Sequence, residues 1–190
     1  MKVGVVLARL QPIHNGHIEL IEQACDENDI VYVFIGSADK FNQRNPIPIS
    51  LRMEMAKEAI NELSKKYQPQ MPVHIIPLDD LTDESDNSHD WGFYLYSKIV
   101  TITGEPSFTI YYSDGFEIIT TWFPSFILRN NVSLKLIARG ATCSGISATK
   151  VRGLIEHGNW EELYKWVPKS VFSRRETLKQ HIELSKLIKS

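Results

Sequence analysis

Val3-Gly4-Val5-Val6-Leu7-Ala8-Arg9-Leu10-Gln11-Pro12-Ile13-His14-Asn15-Gly16-His17 stands at the head of the chain, and its reading decides the fold. Residues 3–8 are apolar and rich in valine, the pattern of a strand buried on both faces. Ile18, Ile21, Ala24 and Cys25 then recur at helical spacing, so a helix follows the loop. A buried strand that passes through a short loop into a helix is the first half of a parallel crossover unit. The alternation continues outward. Strands are expected over 30–35, 73–76, 108–112 and 133–138. Helices are expected after Ser50 as N-cap (Leu51, Met55, Ala59 and Leu63 on one face), over 91–100, and over 116–122 with a stop before Pro124. Others follow over 149–157, ending at Gly158, and over 160–166; residues 167–189 read as mostly helical. The pattern predicts an α/β fold, Rossmann-like and doubly wound: a mainly parallel five-stranded sheet, helices on both faces, and a helical C-terminal segment from about 168 to 190. Residues 1–190 read as a single domain, with no repeat, low-complexity tract or long linker.

Composition narrows the function classes. A net charge of −2 lacks the basic excess of a dedicated nucleic-acid binder. Hydrophobic content of 43% and charged content of 23% describe a folded globular chain. No apolar run is long enough to span a bilayer, and none has the flanks of a secretory signal, so neither a membrane nor nucleic acid is expected as partner. Cys25 and Cys143 stand far apart with no CxxC pairing, which excludes a disulfide scaffold and a cysteine-based zinc site and suits the cytoplasm.

In a doubly wound sheet, ligands sit beyond the carboxyl ends of the strands. The loop 9–17 lies there, just before a helix whose first N–H groups lack intrahelical acceptors and whose dipole favours anions. His14 and His17 flank Gly16 in that loop. Imidazoles donate to phosphoryl oxygens and stabilise charge that develops on them. Two surface histidines at a helix start, or a weak zinc pair with no third ligand in view, are the alternatives. A second constellation is Gly145-Ile146-Ser147-Ala148-Thr149-Lys150-Val151-Arg152. Ser147 is a natural N-cap, and Arg152 stands about one turn into the helix, within reach of a phosphate bound at its start.

Together, His14-Asn15-Gly16-His17 and Ile146-Ser147-Ala148-Thr149-Lys150-Val151-Arg152 resemble the nucleotidyltransferase superfamily of the HxGH and ISxTxxR type. Within it the chain is most similar to the archaeal-type nicotinamide-mononucleotide adenylyltransferases. The likeness includes Arg9-Leu10-Gln11-Pro12, Ile35-Gly36-Ser37-Ala38, Arg44-Asn45-Pro46, Ser50-Leu51-Arg52-Met53-Glu54-Met55, Trp91, Gly158-Asn159-Trp160 and Val167-Pro168. Two positions depart from the pattern: Ala8 stands where the family has glycine and Leu10 where it has phenylalanine. The first is expected to alter nucleotide affinity while leaving the reaction class intact.

The resemblance implies adenylyl transfer from ATP to nicotinamide mononucleotide, with Mg²⁺ bound through the ATP phosphates rather than by a protein cage. It implies His14, His17 and Arg152 as catalytic residues. Arg9, Leu10, Gly16, Ser147, Thr149 and Arg152 would hold ATP. Ser37, Asn45, Arg52, Asp80 and Trp91 would hold the mononucleotide, with Arg52 at its phosphate and Trp91 stacked on the cationic ring. Each has a plainer reading beside it: a surface salt bridge from Arg52 to Glu54 or Glu58, a core position for Trp91, a solvated acidic loop for Asp79 and Asp80. Asp114 is a further candidate. The family's fusions to a second enzyme are not expected in a chain of this length, whereas homo-oligomers are. A transferase for another phosphomonoester, such as pantetheine phosphate, and a non-catalytic nucleotide-binding regulator are the competing functions.

Overall fold

In a computed structural model of the chain, residues 1–67, 72–82, 88–138 and 145–188 are described. Five strands form one all-parallel sheet: β1 (Val3–Ala8), β2 (Ile30–Ile35), β3 (Val73–Pro77), β4 (Phe108–Ser113) and β5 (Val132–Ile137), in the order β3-β2-β1-β4-β5. The strands stand within a residue or so of the expected bounds, because short β-branched runs buried on both faces have few other solutions. Successive connections build leftward from β1 to β3 and then rightward from β1 to β5. The sheet therefore reverses its order between β1 and β4, and their carboxyl ends splay to leave a crevice.

Side-chain alternation sends each strand into two cores. Val6, Val31, Val33 and Ile35 face one layer with α1 (Asn15–Glu27), α2 (Ile49–Ser64), α5 (Ala148–Glu156), α6 (Trp160–Trp166), α7 (Lys169–Phe172) and α8 (Arg175–Ser185). Val3, Val5, Tyr32 and Phe34 face the other, with α3 (His89–Thr103), a 3-10 turn (Glu117–Thr121) and α4 (Ser125–Asn130). Helices thus cover both faces, as the pattern predicts.

Several boundaries differ from expectation for local reasons. Ser50 is not the cap of α2: the first helical bond runs from Arg52 N to the Pro48 carbonyl, so Pro48, extended at φ −57°, takes that place. α3 begins before Trp91, because the Ser88 hydroxyl accepts from Trp91 N and caps it. The segment 116–122 is only a 3-10 turn, and beyond Pro124 stands α4, a helix the sequence pattern did not announce. The stretch 167–188 is two helices broken at Ser173 and Arg174. α8 is not an appendage: Leu178 and Ile182 are buried in the same core as Val151 and Ile155 of α5. Cys143 and residues 83–87 of the acidic loop lie outside the described residues.

Candidate active site

The crevice has a volume of about 450 Å³ and opens at the carboxyl ends of β1 and β4, where Leu7, Ala8, Tyr112 and Ser113 line it. Of the residues singled out from sequence, His14, His17, Arg9, Leu10, Gly16, Ser37, Asp80, Trp91, Ser147, Thr149 and Arg152 all border it. Two segments more than a hundred residues apart therefore meet across one cleft. Gly16 permits the meeting: a Cβ there would stand 3.2 Å from the His14 ring and 3.2 Å from Ile146 Cγ2. Arg152 straps the segments together, its Nη1 donating to the Gln11 carbonyl at 2.9 Å and its Nη2 to Thr149 Oγ1 at 3.3 Å.

The imidazoles are held by each other and by backbone. His14 is the N-cap of α1 and its ring stacks on His17, with centroids 3.7 Å apart. His14 N donates to His17 Nδ1 at 3.2 Å. Nδ1 of His17 is thus an acceptor, which places the proton of the neutral ring on Nε2. On the opposing segment Ser147 caps α5, its hydroxyl accepting from Lys150 N at 3.2 Å. Two helix starts, each with a positive dipole end, border the same cleft.

Like charges crowd here. Burial first, and then the charge of Arg9, lowers the pKa of Arg152. Arg9 keeps surface open to solvent, yet crowding by protein first and the charge of Arg44 second lower its pKa, while Asp80 acts in the opposite sense. Guanidinium groups that repel one another at the mouth of a cleft are relieved by a polyanion. Arg44 also lines the cleft; it stands in a segment that carries the family likeness but was assigned no site role, since an arginine in a loop carries no periodic signal.

Two of the residues expected to hold the mononucleotide, Arg52 and Asn45, do not border the crevice. Arg52 does not border the crevice and is fully buried, and it pairs with neither Glu54 nor Glu58. Its Nη1 donates to the carbonyls of Arg9 and Gly36 and its Nη2 to that of Ser37, each at 2.9 Å. Burial, with Arg9 as the next cause, lowers its pKa to about 10. Arg52 therefore ties the ends of β1 and β2 together beside two residues in the left-handed region, Leu10 at φ 48° and Ser37 at φ 50°. Glu58 pairs instead with Arg174. Asn45 is also buried away from the cleft; its side-chain amide donates to Asn42 Oδ1 at 3.3 Å within a tight turn. Asp79 and Asp114 do not line the cleft either.

Ser37 and Asp80 do meet there, the hydroxyl donating to Asp80 Oδ1 at 3.1 Å. Trp91, only 8% exposed, is a core residue that also forms part of the crevice wall. Phe116 and Trp122 extend that wall, unannounced by the sequence because they come from an irregular connection after β4. Asp80 is the one carboxylate among the described lining residues, and no group of three His, Cys, Asp or Glu suited to a metal occurs among the described residues. The donor set of cations, imidazoles and amide groups suits a phosphate and any ion the phosphate itself carries.

Residues 8–187 match the cytidylyltransferase-like family. The chain is 33% identical to a nicotinamide-nucleotide adenylyltransferase from Thermococcus onnurineus, over 90% of this chain and 80% of that one. It is 30% identical to one from Methanocorpusculum labreanum, over 91% and 89%. In solved structures, the fold resembles a bifunctional NMN adenylyltransferase/ADP ribose pyrophosphatase from Francisella tularensis complexed with AMP and a manganese ion. The TM-score is 0.68 at 18% identity, covering 97% of this chain and 52% of that one, so the chain spans about half of the bifunctional protein. A Plasmodium falciparum nicotinic acid mononucleotide adenylyltransferase complexed with NaAD gives 0.59 at 14% identity, covering 98% and 97%.

Proposed function

Since the chain belongs to the cytidylyltransferase-like family, we propose that its crevice transfers the adenylyl group of ATP to nicotinamide mononucleotide, giving NAD and pyrophosphate. One observation carries this reading. Arg9, Arg152, two imidazoles and two helix starts converge on a cleft at the switch point, beside an aromatic wall. The first set suits a polyphosphate and the second a flat base.

The 5′-phosphate of the mononucleotide is the nucleophile, already an anion at neutral pH, so no protein base is needed. One of its oxygens attacks the α-phosphorus in line, the new P–O bond forms, and the bond to the β-phosphate breaks with its electron pair leaving on pyrophosphate. The chain's own residues align and stabilise. His17 donates from Nε2 to the α-phosphoryl group, with His14 stacked behind it and also at the phosphates. Arg9 and Arg152 hold the departing end, Thr149 orients Arg152, and Ser147 presents the start of α5. Leu10 and Gly16 line the nucleotide's path. Trp91 stacks on the nicotinamide, with Ser37 and Asp80 toward its ribose. Arg52 acts through the backbone of Arg9 and Ser37. When bound, Mg²⁺ would ride on the triphosphate oxygens and neutralise charge on the leaving group.

The proposal places the enzyme in the cytoplasm as a homo-oligomer. Phe93 and Phe126, both exposed and paired at 6.1 Å, offer apolar surface of the kind such contacts use. A coupled assay for NAD formation, run with nicotinamide mononucleotide and with its deamidated acid, tests the activity. Dinucleotide formation that stops when Mg²⁺ is omitted is the expected result. No product from either, with turnover of another phosphomonoester such as pantetheine phosphate, would give the cleft a different acceptor.

A further inference from the structure

Gly92 lies in the first turn of α3 beside Trp91, and it is buried. A methyl group on its Cα would stand 2.0 Å from the Trp122 carbonyl oxygen and 2.7 Å from the carbonyl carbon. Those atoms are backbone and cannot swing aside as a side-chain tip can. One of the two main chains would have to retreat by about an ångström or more to reach ordinary contact distance. A glycine inside a helix also runs against helix propensity, and this contact supplies its reason.

The contact lies between two indoles that meet at the crevice. Trp91 and Trp122 meet edge to face, with centroids 5.8 Å apart and planes at 90°. Phe116 meets Trp122 in the same way at 5.4 Å and 86°. All three rings line the crevice, whereas the guanidinium and imidazole groups are carried by the loop after β1, the start of α1, the connection from β2 to α2, and α5. We infer that Gly92 is a positioning residue for the mononucleotide: its missing side chain fixes the Trp91–Trp122 separation and thereby the width of the aromatic wall that takes a flat, cationic heteroaromatic ring. The inference rests on the functional reading above, which places the base against that wall.

Steady-state kinetics of the full chain with ATP, nicotinamide mononucleotide and Mg²⁺ test it. Gly92→Ala raises the KM for the mononucleotide about tenfold or more while the KM for ATP stays within about twofold, a split that a general loss of stability does not give. Gly153→Ala adds its methyl group to α5 with nothing within 4 Å and leaves both constants at the wild-type values. Should Gly92→Ala fail to fold, Trp122→Phe widens the same gap by shortening the ring and raises the mononucleotide KM about threefold or more, again without moving that for ATP. A folded Gly92→Ala or Trp122→Phe protein with an unaltered mononucleotide KM, or with both constants raised alike, overturns the inference. Wild-type protein that makes no dinucleotide from the mononucleotide overturns the functional reading itself, before any variant is compared.

Discussion

A guanidinium sealed from solvent is costly unless its donors are used, and Arg52 uses both terminal nitrogens on the carbonyls of Arg9, Gly36 and Ser37, leaving only its Nε without a partner. Truncating it leaves three backbone acceptors without that partner in a region closed to water. Arg52→Ala is therefore expected to lose about 3 kcal/mol or more, read as a lower midpoint in urea at unchanged slope. Arg52→Lys, with a point charge in place of a planar fork, recovers only part of it. A midpoint equal to the wild type's would show the three bonds to be dispensable. His17 belongs to the reaction instead: His17→Ala is expected to lower kcat by about a hundredfold with the fold intact, and near-normal turnover would remove the imidazole from the mechanism. The two residues differ in what sequence discloses. His17 stands in a short motif whose spacing already implies phosphate chemistry. The partners of Arg52 are main-chain carbonyls up to 43 positions away, and no side-chain pattern records them.

Among the elements, the two helix starts at the cleft depend on local chemistry that can be tested separately. Removing the Ser147 cap with Ser147→Ala is expected to destabilise the protein by about 1 kcal/mol and to weaken ATP binding as the start of α5 frays. Unchanged stability and unchanged ATP affinity would contradict that role. At the far end of α1, the Glu27 carboxylate accepts from Lys135 and from Tyr111, and these bonds, chiefly that of Lys135, hold its pKa below the ordinary 4.5. A carboxyl group with a depressed folded-state pKa contributes stability above its unfolded pKa and loses it as pH falls through the folded one. Wild type is therefore expected to lose stability relative to Glu27→Gln as pH drops below about 4.5, and parallel pH profiles for the two would contradict the linkage. The strands and most helices were legible because burial on both faces and 3.6-residue spacing leave a mark. α4 was not, because Pro124 reads as a stop while in the molecule it caps a new helix. The break between α7 and α8 at Ser173 and Arg174 was hidden for a different reason. Arg174 leaves the helical run to reach Glu58 on α2, a tertiary contact that no local propensity encodes.

For the whole molecule, the reversal of strand order between β1 and β4 decides where chemistry can occur, since it brings the loop after the first strand opposite the start of α5. That crevice was foreseeable from alternation and motif position. Of its aromatic wall only Trp91 was, since Phe116 and Trp122 reach it through an irregular connection and Gly92 acts through a backbone contact. The central claim is that two remote segments jointly hold a triphosphate, and a crystal structure with α,β-methylene ATP and Mg²⁺ tests it most directly. The account predicts phosphate oxygens lying between His14 and His17 on one side and the Arg152 guanidinium on the other. A nucleotide bound elsewhere, with that gap left to solvent, would contradict it.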